Sequence, residues 1–235
     1  MKLTGIKQIT GKIVLKSGLH IGAGDMEMHI GGTDNPVIKH PHTMEPYIPG
    51  SSIKGKVRSL LELKSGLMVK TKGSPVSART MEGLEGEALK ECRNILKLFG
   101  TSGADADAMA DLGPTRVSFA DCSLDEDWKQ KAIANHWPLT EVKSENTIDR
   151  VTGTAQNPRF TERVPAGTVF RFSVSLKQLD DDAQLLDLLL EGLSLLQLDS
   201  LGGSGSRGYG RIDLEFDESE IQRKFSEALP LMQEG

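Results

Sequence analysis

Nine of the seventeen residues from Asp182 to Leu198 are leucine. A helix that is apolar around most of its circumference has no solvent face to offer, so it must pack along much of its surface on a sheet. The flanking sequence supplies one. Thr168 to Leu176 (TVFRFSVSL) alternates apolar and polar residues with the period of a half-buried strand. After the helix, a glycine loop from Leu201 to Gly210 leads into a further strand, Tyr209 to Phe216, and a short helix, Glu218 to Leu229, closes the chain. Asp180 to Asp182 place negative charge at the start of the leucine helix, where its dipole favours it.

The N-terminal half has a matching order. Ile6 to Leu15 is β-branched and partly alternating, which reads as a first strand. Ser51 or Ser52 can cap a helix running to about Lys64, with Ile53, Val57 and Leu60 as its buried stripe. Thr115 to Asp121 (TRVSFAD) is a second strand. Strand, helix, strand, strand, helix, strand is the ferredoxin-like, RRM-like β-α-β-β-α-β order, so the expected fold is an α+β palm. RNA-recognition domains of this architecture stack bases on sheet aromatics. Only 5% of this chain is aromatic, and no strand carries a matching motif, so base stacking on the sheet face is not expected.

Residues 1–235 form a single domain in this reading, with three insertions. Residues 20–49 are a long loop thick with Gly and Pro, with a short strand at Val37 to Lys39. Residues 65–114 are a mobile insertion with one helix near Gly86 to Phe99. Residues 139–165 are a polar hairpin or extended arm. The longest apolar run is far short of the roughly 20 residues a bilayer span needs, and the first ten residues lack a signal-peptide core, so a soluble cytoplasmic protein without membrane contact is expected. Cys92 and Cys122 are too few for a four-thiolate zinc site and read as small buried hydrophobes.

The net charge of −5 argues against a uniformly basic nucleic-acid binder, but it conceals a split. From Lys39 to Lys72 seven basic residues face two acidic ones, a local balance of +5, which leaves −10 for the rest of the chain. The two signs either form solvated faces or present one basic and one acidic surface, which would suit head-to-tail self-association around a polyanion. At about 100° per residue, Ser51, Lys54 and Arg58 share one face of the first helix, opposite Ile53, Val57 and Leu60. That face is either an ordinary solvated helix start or a phosphate cradle at a helix N-terminus. Gly55 inclines toward the second, because an interior glycine costs about 1 kcal/mol of helix stability and suggests close approach to the backbone. In the loop after the leucine helix, Gly203, Gly205 and Gly208 form a formal GxGxxG. A dinucleotide fingerprint must follow a strand and open a helix, and this loop does the reverse. It is a plain connection or a flexible collar whose N–H groups meet phosphates beside Arg207.

Taken in order, "GLHIGAG", "GGTDNPVIKHP", "YIPGSSIKGKVRSLLE", "ENTIDRVTGTAQNPR" with "ERVPAGTVF", and "LGGSGSRGYGRI" resemble the RAMP-superfamily backbone subunit of type III-A CRISPR (Csm) effector complexes over nearly the whole chain. The resemblance implies a palm of the RNA-recognition-motif fold, several copies lined up along a guide RNA, and a thumb hairpin that interrupts the guide–target duplex at regular intervals. It also implies cleavage of the target RNA opposite each subunit, alongside other Csm subunits. By the same resemblance Asp34 is the cleavage aspartate. Ser51, Ser52, Lys54 and Arg58, joined by Gly202, Gly203, Gly205 and Arg207, contact the guide backbone, and His20 is associated with guide binding. Ile148 to Arg159 is the thumb, with Arg150 and Arg159 as phosphate contacts and Ile148 or Val151 as the wedge. Some relatives carry a cysteine-rich zinc insertion, which two cysteines cannot supply.

Asp34 lies among Gly31, Gly32, Thr33, Asn35 and Pro36. An ordinary carboxylate is too weak a base to take a 2′-hydroxyl proton unaided, so Mg2+ or another divalent cation shared between Asp34 and RNA phosphate is expected. Asp105, Asp107, Asp121 and Glu145 are candidates to complete that site. His20 is an alternative general base or acid, and His40 with His42 is a further possible metal pair. The competing readings are a non-catalytic guide-binding filament subunit and a free-standing guide-processing ribonuclease.

Overall fold

A computed structural model describes residues 2–24, 35–101, 111–180, 182 and 184–231. Asp34, Asp105 and Asp107 lie outside them. The elements in chain order are β1 (Leu3–Leu15), α1 (Gly50–Lys64), α2 (Leu67–Lys70), a 3-10 turn (Ala78–Met81), α3 (Gly86–Phe99), β2 (Val117–Phe119), α4 (Glu126–Ala134), β3 (Glu141–Ile148), β4 (Ala155–Arg163), β5 (Val169–Leu179), α5 (Leu185–Leu198), a second 3-10 turn (Gly205–Arg207), β6 (Ile212–Phe216) and α6 (Ser219–Leu231).

Four strands form an antiparallel sheet in the order β2-β5-β1-β6, with α1 between β1 and β2 and α5 between β5 and β6 in sequence. This is the ferredoxin-like order expected from the sequence. Period-two alternation sets Ile9, Ile13 and Leu15 of β1, Phe170, Phe172, Val174 and Leu176 of β5, and Ile212, Leu214 and Phe216 of β6 into the core. The other face carries Gln8, Thr10, Lys12, Arg171, Ser173 and Ser175, tied by Gln8 to both serines and by Thr10 and Arg171 to Asp217. Among the described residues, the aromatics of the four strands, Phe119, Phe170, Phe172 and Phe216, lie in or against the core.

The leucine helix α5 is buried on most of its circumference, with Leu185, Leu189, Leu193 and Leu196 shut off from solvent. Each such side chain contributes roughly 1.5–3 kcal/mol of transfer free energy. Gly192 lets α5 and α1 approach closely, because a Cβ there would lie 2.6 Å from Val57 Cγ1. The buried stripe of α1 is Ile53, Val57 and Leu61, with Leu60 half-buried beside it. The helix begins at Gly50 with Pro49 in the cap position and no side-chain cap, so Ser51 and Ser52 lie inside the first turn instead of capping it.

The 65–114 insertion is no appendage. Cys92, Ile95, Leu96, Leu98 and Phe99 of α3, with Leu67, Val76 and Leu112, join the same core as the sheet. Amphipathic spacing in α3 was the signal for this, masked in the sequence by polar flanks. Val37 to Lys39 makes isolated bridges, Gly22 to Val37 and Lys39 to Pro46, and no continuous strand. The expected hairpin is present as the antiparallel pair β3–β4. Helix α4, capped by Asp125 accepting from the Trp128 N–H, went unread in the sequence. Among the described residues no helix is long and apolar enough to cross a membrane.

Candidate nucleic-acid interface

The segments singled out in the sequence converge at the root of the hairpin. Leu19 pairs with Val164, bringing the end of β1 to the end of β4. His20 then places Nδ1 2.7 Å from the Glu162 carbonyl oxygen, so Nδ1–H donates and Nε2 is left to meet other groups. The His20 carbonyl accepts from the Gly203 N–H at 2.9 Å. Gly202, at φ 76°, sits so close to the same carbonyl that a Cβ there would collide with it, which explains the glycine.

Asn35, the residue after Asp34, is bonded through its carbonyl to the Glu162 N–H at 3.0 Å and bridges Thr161 of β4. The Glu162 carboxylate accepts from the Val37 N–H at 3.0 Å and from Lys39 Nζ at 2.6 Å. Burial alone would raise the Glu162 pKa, but the hydrogen bonds from Lys39, Thr140 and Val37 outweigh it and hold the carboxyl below its ordinary value. Sequence reading missed this hub. Its one available signal was a carboxylate at an inward position of an alternating strand.

Arg207 does not stand free. It donates to Glu145 of β3 at 2.7 Å and to Ser204 Oγ at 2.9 Å, while Tyr209 donates to the other Glu145 oxygen at 3.0 Å and lies under Lys143 and Arg163. Desolvation opposes ionisation of Glu145, but Lys143, Tyr209 and Arg207 together keep it ionised. The glycine loop is a folded turn and not a flexible collar. The N–H groups of Leu201, Gly203, Arg207, Gly208, Tyr209 and Gly210 are all taken by backbone carbonyls, and Gly205 opens the 3-10 turn.

Lys56 pairs with Asp199 at 2.7 Å, which sets the first half of α1 beside the entrance to this loop. At the helix N-terminus, where a phosphate cradle is expected, one donor is used within the protein: Asp121 Oδ1 accepts the Gly50 N–H at 2.8 Å. Arg58 is also committed. Its Nε binds Glu62 at 2.7 Å, one terminal nitrogen binds the Val76 carbonyl at 2.6 Å and the other the Gly100 carbonyl at 3.1 Å. It clamps the 65–114 insertion onto α1. Lys54, beside an exposed Ser51 and a half-buried Ser52, has no acidic partner among the described residues. Desolvation, then the charge of Arg58, lowers its pKa from the ordinary lysine value.

Part of the basic segment is paired within the fold. Lys39, Lys56 and Lys64 pair with Glu162, Asp199 and Glu191, and Arg58 with Glu62. Glu162, Asp199 and Glu191, all distant in sequence, thus pair with three of the seven basic residues of the segment, while Glu62 belongs to the segment itself.

The hairpin projects from this root with both faces solvated. Ile148, Arg150, Val151 and Arg159 are exposed, Val151 at 96%. Asp149 closes the tip by accepting from the Val151 and Thr152 N–H groups. Among the described residues no group of three or more His, Cys, Asp or Glu is placed to hold a metal. Asp121 and Glu145 are occupied as above, and His40 Nδ1 accepts from the His42 N–H at 3.3 Å. Cys92 and Cys122 are buried as expected.

A model of the RAMP superfamily matches residues 12–213. The CRISPR system Cms endoribonuclease Csm3 of Methanothermobacter thermautotrophicus is 40% identical over 231 residues, covering 92% of this chain and 85% of that protein. The protein of the same name from Enterococcus italicus is 37% identical over 212 residues, covering 89% and 90%. The crystal structure of a Csm3–Csm4 subcomplex of the type III-A CRISPR-Cas interference complex aligns over 100% of this chain and 98% of the other, with a TM-score of 0.55 and 26% identity. Methanopyrus kandleri Csm3 shares the fold at a TM-score of 0.56 and 23% identity, over 93% of this chain and 79% of that one. With the palm, the hairpin and the converging loops in place, these likenesses identify the chain as a member of the RAMP superfamily and, within it, of the Csm3 family.

Proposed function

We propose that this chain is the backbone subunit of a type III-A CRISPR ribonucleoprotein, that several copies associate head to tail along the guide RNA, and that each cleaves the complementary target RNA using Asp34. The observation that carries the reading is the placement of Asn35. The chain leaving Asp34 is bonded to β4 at the root of the hairpin, where a strand interrupted by that hairpin would pass. Lys54 with Ser51 and Ser52, and the Gly202–Arg207 turn with His20, form the guide-facing surface; Arg150 and Arg159 contact phosphates, and Ile148 or Val151 is the wedge.

Displacing a base frees the sugar-phosphate chain to bring its 2′-hydroxyl in line with the adjacent phosphorus. The 2′-oxygen bonds to phosphorus, its proton is lost, and the 5′-oxygen leaves and is protonated. In this proposal Asp34 and phosphate oxygens of the RNA would hold Mg2+ or another divalent ion. Such an ion would lower the pKa of the attacking hydroxyl and offset charge on phosphorus.

The test is cleavage of a labelled complementary RNA by the reconstituted assembly, with and without Mg2+, using native protein and Asp34→Ala. Regularly spaced, metal-dependent products lost in the variant, with target affinity retained, support the reading. Cleavage that survives excess chelator and disappears in His20→Ala replaces Asp34 by His20, whose Nε2 is the ring nitrogen left open. Guide binding without any cleavage leaves the filament-subunit reading.

A further inference from the structure

Gly55 lies inside α1, is exposed, and has open space around it: a Cβ built there meets nothing within 4 Å. No turn, crossing helix or left-handed backbone angle within the protein requires a glycine at this position. Every other residue type except proline would stabilise the helix, alanine most of all. At about 100° per residue Gly55 falls between Ser51 and Ser59 and about 60° from Arg58 on the outward face. A second observation marks the same place. Lys54, its neighbour in sequence, has no acidic partner among the described residues, although Lys39, Lys56, Arg58 and Lys64 all have one. A bare patch of helix backbone beside an ammonium with no acidic partner among the described residues is a surface suited to an anionic chain. Contacts of this kind, to sugar and phosphate, position a strand without reading its bases.

Resting on the guide-binding reading above, we infer that Gly55 sets the clearance between α1 and the guide. Its missing side chain lets the sugar-phosphate backbone of single-stranded RNA settle within reach of Lys54 and Ser51. A side chain at this position would lift the strand off the helix and lengthen those contacts.

The inference requires stability and binding to move in opposite directions, which a merely structural role cannot produce. Gly55→Ala and Gly55→Leu are compared with native protein and Lys54→Ala by thermal unfolding without RNA and by titration with a guide RNA of mixed sequence. Both Gly55 variants should melt higher than native, by roughly 2–4 °C for alanine. Guide affinity should fall with side-chain size, reaching about tenfold or more for leucine, the loss expected for one charge-assisted contact. A folded Gly55→Leu protein with native guide affinity overturns the inference. If it does so while Lys54→Ala still weakens binding and its salt dependence, the guide-binding reading survives. If the native protein shows no salt-dependent binding, both fall together.

Discussion

Replacing Arg58 by alanine separates two roles for a residue that the family resemblance assigns to the guide and the structure commits to the fold. The guanidinium bridges Glu62, Val76 and Gly100, and Glu62 is only 4% exposed. Its removal leaves a buried carboxylate with, among the described residues, only the Val76 N–H, at 3.1 Å, and strips a charged donor from two carbonyls. Breaking a buried pair by deleting one partner costs about 3–5 kcal/mol. In a chain of this size each kcal/mol moves the melting temperature by about 2–4 °C. Arg58→Ala should therefore melt roughly 6–20 °C below native, while the salt dependence of guide binding by the folded fraction stays near native. The assay pairs thermal unfolding of the RNA-free protein with guide titrations between 50 and 200 mM salt, at about 10 °C. Melting within about 2 °C of native, together with a salt slope shallower by about 0.7, would show that the guanidinium serves RNA phosphate and would refute the clamp.

Lys54→Ala should show the opposite pattern, a melting temperature within about 2 °C of native and a log–log salt slope of guide binding reduced by about 0.7 for each copy bound. Gly202→Ala should lose guide affinity and stability together, because a Cβ at φ 76° collides with the His20 carbonyl; an unchanged urea midpoint would contradict the packing. Glu145 and Glu162 have depressed folded pKa values, so the stability their ionisation contributes is fully present above the ordinary carboxylate pKa of about 4.3 and is lost as pH falls through the folded values. The urea midpoint should fall from pH 5 to pH 3, and a flat or rising midpoint would overturn the assignment. Burial pushes the Cys92 thiol up to about 11 and Cys122 to about 12, so iodoacetamide at pH 8 should label neither in the folded protein and both after unfolding, read by intact mass.

The palm was legible because its periodicities are strong. The alternation of Thr168 to Leu176 and the density of leucine in Asp182 to Leu198 each admit one packing solution, and the hairpin announced itself by charge without core. What escaped the sequence depends on pairs far apart along the chain. Nothing near Lys39 points to Glu162, nor near Lys56 to Asp199, so cations that read as part of an open basic surface turn out to be paired by the fold. The bond of Asp121 to the Gly50 N–H at the start of α1 belongs to the same class, since its acceptor arrives from 71 residues away. Helix α3 was legible at Gly86 to Phe99, but its place in the core was not, since its apolar stripe is flanked by polar loops that dominate any window drawn across the insertion.

Glu162 joins parts that are usually described separately. Its main chain belongs to a strand of the hairpin, and its backbone and carboxylate together grip Asn35, Val37 and Lys39. The hairpin is thus a cantilever whose anchor bolt also fastens the polypeptide emerging from Asp34. Tilting the free end would therefore be expected to strain those bonds, which a variant at Glu162 would release.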